Sequence, residues 1–559
     1  MASTNLQQKE KALVVALPPG VTPTIKSAYL SKIFNPLFTL GLLSLIFYPF
    51  ISDSDIFGDN LGLAEITSAS QPGHVAPRLT RRRHLATCWA LHEKEKRSKG
   101  GLTRLQFFLM VFISTFSYYL IPSYFFPSIS SLSFVCWIWK DSITAQQLGS
   151  GLHGMGLGSF GFDWSTIAGF LGSPLAYPAF AIVNVMVGFF LTVYVMIPVA
   201  YWSNAYEAKR FPSAKTFDFT GHTYNITRVL NQETFDLHEA AYNGYSKLYL
   251  SVFFAFTYGL SFATLAAAIS HVVLFHGKTI MRMWKGTAVA LQKLMGDVHT
   301  RIMKRNYEEV PSWWFYTILA VTLALSLITC EGFGRQLQLP WWGILLACAM
   351  ALFFTLPIGI ITATTNQQPG LNVITELVIG YLYPGKPLAN VAFKTYVFYN
   401  ASIIWGVVGP LRMFTKQGIY PEINWFFIVG FLAKVPVWIL SRKFPEKKWI
   451  QLINMPIIFG ATMSMPPARA VNCITWATVG LFFNVYIYRK YKGWWARHTY
   501  ILSAALDAGV AFMGVILYFA LQSKDILGPS WWGLEMDDHC PLAKCPTAPG
   551  IQVKGCPVL

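Results

Sequence analysis

The sequence predicts an all-α fold, a polytopic bundle of transmembrane helices, several of them broken or re-entrant. Three observations carry this. Of 559 residues, 54% are hydrophobic and only 13% are charged, about half the charged share of a soluble domain. Apolar runs of roughly 20 residues recur along the chain, the length that crosses about 30 Å of hydrocarbon at 1.5 Å per residue. Other apolar runs are too short to cross and are punctuated by glycine and proline. A soluble chain of this composition would expose large adhesive patches, so a soluble domain is excluded as the fold class.

The first apolar run, 34–51, is short and contains Pro36 and Pro49. It begins too far into the chain to be a secretory signal. Clear spanning segments follow at 105–127, 174–203, 248–276, 311–331, 338–362, 424–441, 471–489 and 500–521. The stretches 129–172, 371–383, 397–413 and 450–465 are apolar but too short or too rich in glycine to be simple spans. Non-helical backbone at membrane depth is tolerated only where it is buried in protein or lines a cavity, so these are expected to be broken helices.

The net charge is +18. In a soluble protein that would suggest nucleic acid. Here the basic residues lie between the apolar runs, so no nucleic-acid partner is expected and the lipid bilayer is. The segments 92–104, 277–310 and 441–448 are basic and are expected on the cytoplasmic side. Three clear spans separate the first two, and an even number is required, so 129–172 must itself make one net crossing. The loop 204–247 then lies outside, where its sequon Asn225-Ile226-Thr227 is a glycosylation candidate at Asn225.

The stretch "GSGLHGMGLGSFG" (149–161) contains G-x-G-x-x-G twice. A dinucleotide site needs a preceding strand and a helix opening at the glycines, and the membrane context supplies neither. Two readings stay open: close helix packing through small residues, or a broken segment lining a pathway. Just before it, Lys140 and Asp141 form either a buried pair in that pathway or an interfacial anchor beside Trp137 and Trp139.

Glu376 is the one carboxylate between Glu331 and Glu422. It lies in an apolar helix bracketed by Pro369-Gly370 and Pro384-Gly385, and shares a face with Asn372 and Gly380. Charge in hydrocarbon is costly, and desolvation favours the neutral carboxyl. Glu376 therefore reads as a proton carrier, against the alternative of a carboxylate hydrogen-bonded between helices. Asp507 is the second candidate. Lys434 is expected to snorkel to the interface. His153 and His271 are relay candidates or packing residues.

Cys136, Cys330, Cys348 and Cys473 read as small apolar-run residues. In the tail, His539, Cys540, Cys545 and Cys556 lack a regular zinc spacing, which points to a disulfide or free thiols rather than a metal. No Ser-His-Asp, HExxH or P-loop pattern is present, so neither an enzyme nor an ATP-driven pump is expected, and no cofactor is implied.

Several long stretches, "ALHEKEKRSKGGLTRLQFF", "SFVCWIWKDSITAQQLGSG", "TNQQPGLNVITELVIGY", "FYNASIIWGVVGP", "MSMPPARAVN" and "CPLAKCPTAPGI" among them, resemble the oligopeptide transporter (OPT) family, in particular its plant peptide-transporter clade. The resemblance runs from about residue 89 to the end. It implies a proton-coupled importer, in the plasma membrane, of short peptides or related compounds such as glutathione or metal chelates. Residues 1–88 do not resemble the family. At 396/397 "VAFKTY" runs directly into "VFYNASIIWG", where family members carry a long section with a Lys-Ile-Pro-Pro-Arg motif. The expected organisation is an atypical segment 1–88, a transporter domain 89–521 and a cysteine- and proline-containing tail 522–559.

On this reading the proton is carried by Glu376 and Asp507. Substrate contacts come from Asn366, Gln367, Gln368, Asn372, Tyr381 and Asn390 on one broken segment. Lys140, Asp141, Gln146, Gln147 and His153 supply them on the glycine-rich one. The rival is a membrane protein that does not transport: a truncated paralogue or a partner subunit. The missing section should also leave apolar helix faces open beside 371–413.

Overall fold

The computed structural model describes residues 102–211, 216–231, 237–285, 311–331, 340–382 and 402–558, apart from isolated positions at 466 and in the tail. Residues 1–88, Asn390 and the 396/397 junction lie outside the described residues. The molecule is helical, with only two pairs of two-residue strands among the described residues. Seven described helices are long and apolar enough to cross a membrane.

Helix α1, Arg104–Leu120, is opened by a capping box between Thr103 and Gln106 and closes in a widened turn over Ile121–Phe125, where Pro122 removes a donor. Helix α2, Ala179–Phe189, continues through wider turns to Trp202. Then come α3 (Val252–Lys285), α4 (Ser312–Glu331), α5 (Trp341–Thr365) and the short α6 (Asn372–Leu382). The last long helices are α7 (Trp425–Lys443), α8 (Ala470–Leu481, extended to Lys490) and α9 (Lys492–Ala520).

The apolar runs that looked too short are broken as expected. Residues 127–176 fold into short helical pieces joined by a two-residue strand pair, Leu132–Ser133 on Ser159–Phe160. Gly156 and Gly158 adopt positive φ there, the left-handed turn that glycine permits, so these glycines shape a loop. Residues 402–414 bend at Gly409 and Pro410, and 448–462 consist of three short helices.

Small residues set the helix contacts, as in membranes generally. On α3 and α7, Gly259 lies against Phe426, and a Cβ on Gly430 would overlap the backbone of Ala263. The two helices therefore run parallel. Helices α1 and α9 are also parallel: Phe107 meets Trp494 and His498 near their starts, and Thr115 meets Gly509 further along. Helix α3 is the central one, with 83% of its apolar window buried.

These contacts trace the path of the broken segment 126–174. It begins at the far end of α1. It passes Asp507 of α9 through Trp164, and reaches Asn484 through the carbonyl of Pro174. Asn484 in turn accepts from Trp495, at the start of α9. The segment thus runs from one end of the bundle to the other.

A cleft of about 410 Å³ opens between α3, α5, α6 and α7, lined by Leu265, Ile269, Phe354, Ile374, Phe427 and Phe431 among other apolar residues. Its α6 wall adjoins the segment whose apolar faces were expected to be left open.

Candidate functional site

Helix α6 has 11 residues, about 16 Å at 1.5 Å per residue, too short to cross. It starts after the break at Asn366, which adopts the left-handed conformation that ends α5. The Nδ2 of Asn366 donates to the carbonyl of Ala176, tying the α5–α6 break to the start of α2. Gln367 donates its backbone N–H to Thr365 Oγ1, and Gln368 is exposed. Of Asn372 only the backbone is described. Gly380 lies against the ring of Pro410.

Glu376 is partly buried, and its carboxylate stands within electrostatic reach of the Tyr258 hydroxyl on α3. Tyr258 is packed between Phe254, Trp405 and Phe414. Leu377 and Tyr420 belong to the same hydrophobic cluster, and Tyr381 packs against it. A carboxyl on this helix therefore stands near both a phenol and a buried apolar cluster. That environment suits a group that changes charge during a cycle.

Asp507 accepts a 2.8 Å hydrogen bond from the indole of Trp164. The neighbouring Asp163 was not among the expected residues. It is 3% exposed, caps the short helix Trp164–Ala168 through the Ser165 N–H, and also accepts from the hydroxyls of Ser165 and Ser130. The available signal was local: an Asp immediately before a helix start is an N-cap. Two carboxylates, Asp163 and Asp507, therefore flank Trp164.

In the glycine-rich segment Lys140 and Asp141 are both exposed, beside exposed Trp137 and Trp139, as an interfacial anchor would be. Gln146 is buried and its Oε1 accepts from the backbone of Leu542 at 2.7 Å. Gln147 donates to the carbonyl of Cys545 at 2.9 Å. Both glutamines therefore hold the tail. His153 is partly buried, and its charge acts on Asp537 of the tail.

The tail is fixed by more than these contacts. Cys136 is disulfide-bonded to Cys540, and Cys545 to Cys556. This corrects the reading of Cys136 as a packing residue. It is buried, but as half of a cystine. Asp538 is fully buried. Its Oδ2 accepts from Ser150 at 2.5 Å, Leu152 N–H at 3.1 Å and Ser133 at 3.3 Å, while Oδ1 finds no partner among the described residues. Burial pushes its carboxyl above the ordinary range, the hydrogen bonds from Ser150 and Leu152 opposing. Thr547 pairs with Tyr201 and donates its N–H to Lys209, so the tail also lies on the start of 204–247. Asn225 in that loop is exposed, its Oδ1 accepting from Thr227.

Lys434 departs from expectation. It does not snorkel: it is 0% exposed, donates to the carbonyl of Ile453 at 2.6 Å, and sits 4.6 Å from the centre of the Phe275 ring. Among the described residues no group of three or more His, Cys, Asp or Glu could hold a metal ion.

The model of the OPT oligopeptide transporter protein family matches residues 84–402 and 396–521. The two matches meet at the junction where the long section was expected to be missing. The chain is 56% identical over 546 residues to Oligopeptide transporter 1 and to Oligopeptide transporter 5 of Arabidopsis thaliana, covering 84% of this chain and 72% of each relative. It is 46% identical to Oligopeptide transporter 7 of the same plant, over 84% of this chain and 70% of the relative. Since 84% of 559 residues is about 470, about 76 of the 546 positions aligned with the first relative face a gap in this chain. No solved structure matches it. The relatives are named as transporters and not as enzymes, the helices are those of an integral membrane protein, and the chain belongs to the OPT oligopeptide transporter family.

Proposed function

We propose that this chain is a proton-coupled secondary transporter that imports short peptides or related compounds, glutathione and metal chelates included, across the plasma membrane. The observation that carries the coupling is Glu376. It is an acid on a helix too short to cross, set against Tyr258 in an aromatic cluster. Peptide as cargo is supported by the names of the Arabidopsis relatives. The transporter domain is 89–521, with 522–559 as a tail and 1–88 as an atypical lead-in. Asn366, Gln367, Gln368, Asn372 and Tyr381 of the α5–α6 break, with Asn390 beyond it, contact the substrate. In the glycine-rich segment, where Gln146 and Gln147 hold the tail and Lys140 and Asp141 are exposed, His153 is the residue left to contact substrate, and Asp507 is the second proton group.

The basic ends of α3 and α7 face the cytoplasm, and 204–247 and the tail lie outside. The test is uptake of a labelled tetrapeptide by the full chain in proteoliposomes, with and without an inward proton gradient. Gradient-dependent accumulation that a protonophore abolishes supports the reading. Accumulation indifferent to the gradient removes the proton coupling.

A second reading has its own observation. About 76 aligned positions of a relative have no counterpart, and an apolar cleft stands open beside α6. A truncated paralogue or membrane partner subunit that does not transport would take up no tetrapeptide in the same preparation, with or without the gradient.

A further inference from the structure

We propose that α3 carries the proton through the inner half of the membrane and that His271, with Lys434, is the inner proton station. This rests on the proton-coupled reading above.

Thr257, Ser261, Thr264 and His271 are spaced by four, three and seven residues, so they share one face of α3. All four are buried. The three hydroxyls donate to the carbonyls four residues earlier, at 2.9, 2.8 and 2.8 Å. Each oxygen thus keeps acceptor capacity on its outer side. The broken segment 455–462 covers this face. Ala268 packs with Ile457 and Ala461, and the Thr264 side chain faces Gly460, which presents no side chain of its own. A row of hydroxyls from Thr257 to Thr264 therefore follows a seam between α3 and a helix that is already broken, and Ala268 separates it from His271.

Titratable groups lie toward both ends of this face. Near the head Tyr258, about 100° around the helix from Thr257, stands within reach of Glu376. At the foot, 13 residues and about 20 Å further along, is His271. It is 8% exposed, and its Nδ1 finds no hydrogen-bond partner among the described residues. Its ring stacks on Phe275, over which the Lys434 ammonium also sits. Lys434 reaches Ile453, and the side-chain oxygen of the next residue, Asn454, is likewise buried without a partner.

Buried polar atoms are nearly always satisfied, and an unsatisfied one costs a few kcal/mol. Two orphans beside a buried amine suit a site that a water or a proton visits. The titratable groups facing His271 are Lys434 from α7 and His276 from its own helix; no carboxylate pairs with Lys434 among the described residues. Two cations in one apolar site disfavour each other. In the step proposed, the proton leaves the Glu376 carboxyl, which becomes a carboxylate. Water admitted to the seam would carry it past the hydroxyls and across the roughly 10 Å between Thr264 and His271 to the His271 imidazole or the Lys434 amine, from which it is released on the inner side.

The experiment uses the full chain in proteoliposomes. Labelled tetra-alanine is followed in exchange at equal pH and in accumulation driven by acid on the uptake side. In His271→Gln and in Lys434→Gln, accumulation should fall at least tenfold while exchange stays within about twofold. Accumulation like that of the parent chain in both variants would overturn the proposal. A parent chain that neither exchanges nor accumulates overturns the transport reading instead. The station is then decided by hydrogen–deuterium exchange at the imidazole C2–H of His271, read by mass spectrometry. A proton station exchanges over days, as an accessible imidazole does, at a rate that follows pH and changes severalfold in Lys434→Met. A sealed packing histidine does neither, and that result sinks the station.

Discussion

Cys136 and Cys540, 404 residues apart in sequence, are joined in one disulfide. Disulfides persist in oxidising compartments, so this cystine predicts the outer side for the tail and for the end of α1 by an argument independent of basic residues. Two expectations follow for one preparation. Non-reducing digestion should yield the linked 136/540 peptides, and Cys540→Ser should free the tail to proteolysis, a loss of about 2–4 kcal/mol of local stability. In intact cells an impermeant maleimide should label Thr220→Cys and spare Lys278→Cys. The reverse labelling pattern would invert the topology.

Glu376→Gln keeps the shape and hydrogen-bonding capacity of the side chain but removes titration. In the full chain it should abolish accumulation driven by external acid, a loss of at least tenfold, and leave exchange of labelled peptide intact. Continued uphill accumulation would make the carboxylate a structural link between α6 and α3.

Asp538 gives a pH dependence of defined sign. Burial raises its carboxyl above the ordinary range, so the docked tail binds the proton more readily than the free tail does. Docking is then strongest at low pH and weakens as pH rises through the docked-state value, by at most about 1.4 kcal/mol per pH unit. The protection factors of amides 537–545, with the intrinsic base-catalysed rate divided out, should rise as the medium is acidified toward the carboxyl range, with Asp537, His153 and Lys544 as the charged neighbours. Asp538→Asn should flatten the profile. A pH dependence unchanged in that variant would assign it to one of those neighbours.

Gly430 lets α7 lie directly on the backbone of Ala263. Gly430→Ala should force the helices apart and cost about 1–3 kcal/mol by overpacking, read as a lower melting temperature of the purified protein. Gly493, at the start of α9, has open space around its Cα; Gly493→Ala should leave the melting temperature nearly unchanged.

The sequence by itself determined seven of the eight expected spans, with 311–331 yielding a shorter apolar helix, as well as the breaks and the absence of another carboxylate between Glu331 and Glu422. These are local properties. Hydrocarbon demands about 20 apolar residues per crossing, and Gly409–Pro410 or the glycines of 149–158 interrupt a helix wherever they stand. Even the net crossing of 129–172 followed from counting basic loops. Only the tertiary structure decided that Cys136 meets Cys540, that Gln146 and Gln147 hold the tail, and that Asp538 is buried under the glycine-rich loop, because these partners lie about 400 residues apart. Lys434 stands between the two cases. As the tenth of 19 residues in α7 it lies about 14 Å from either end at 1.5 Å per residue, which already argues against snorkelling. That its ammonium ends on Ile453, beside Phe275 and His271, depends on how α3, α7 and the broken helix pack, and a one-dimensional hydropathy pattern carries no record of which faces meet.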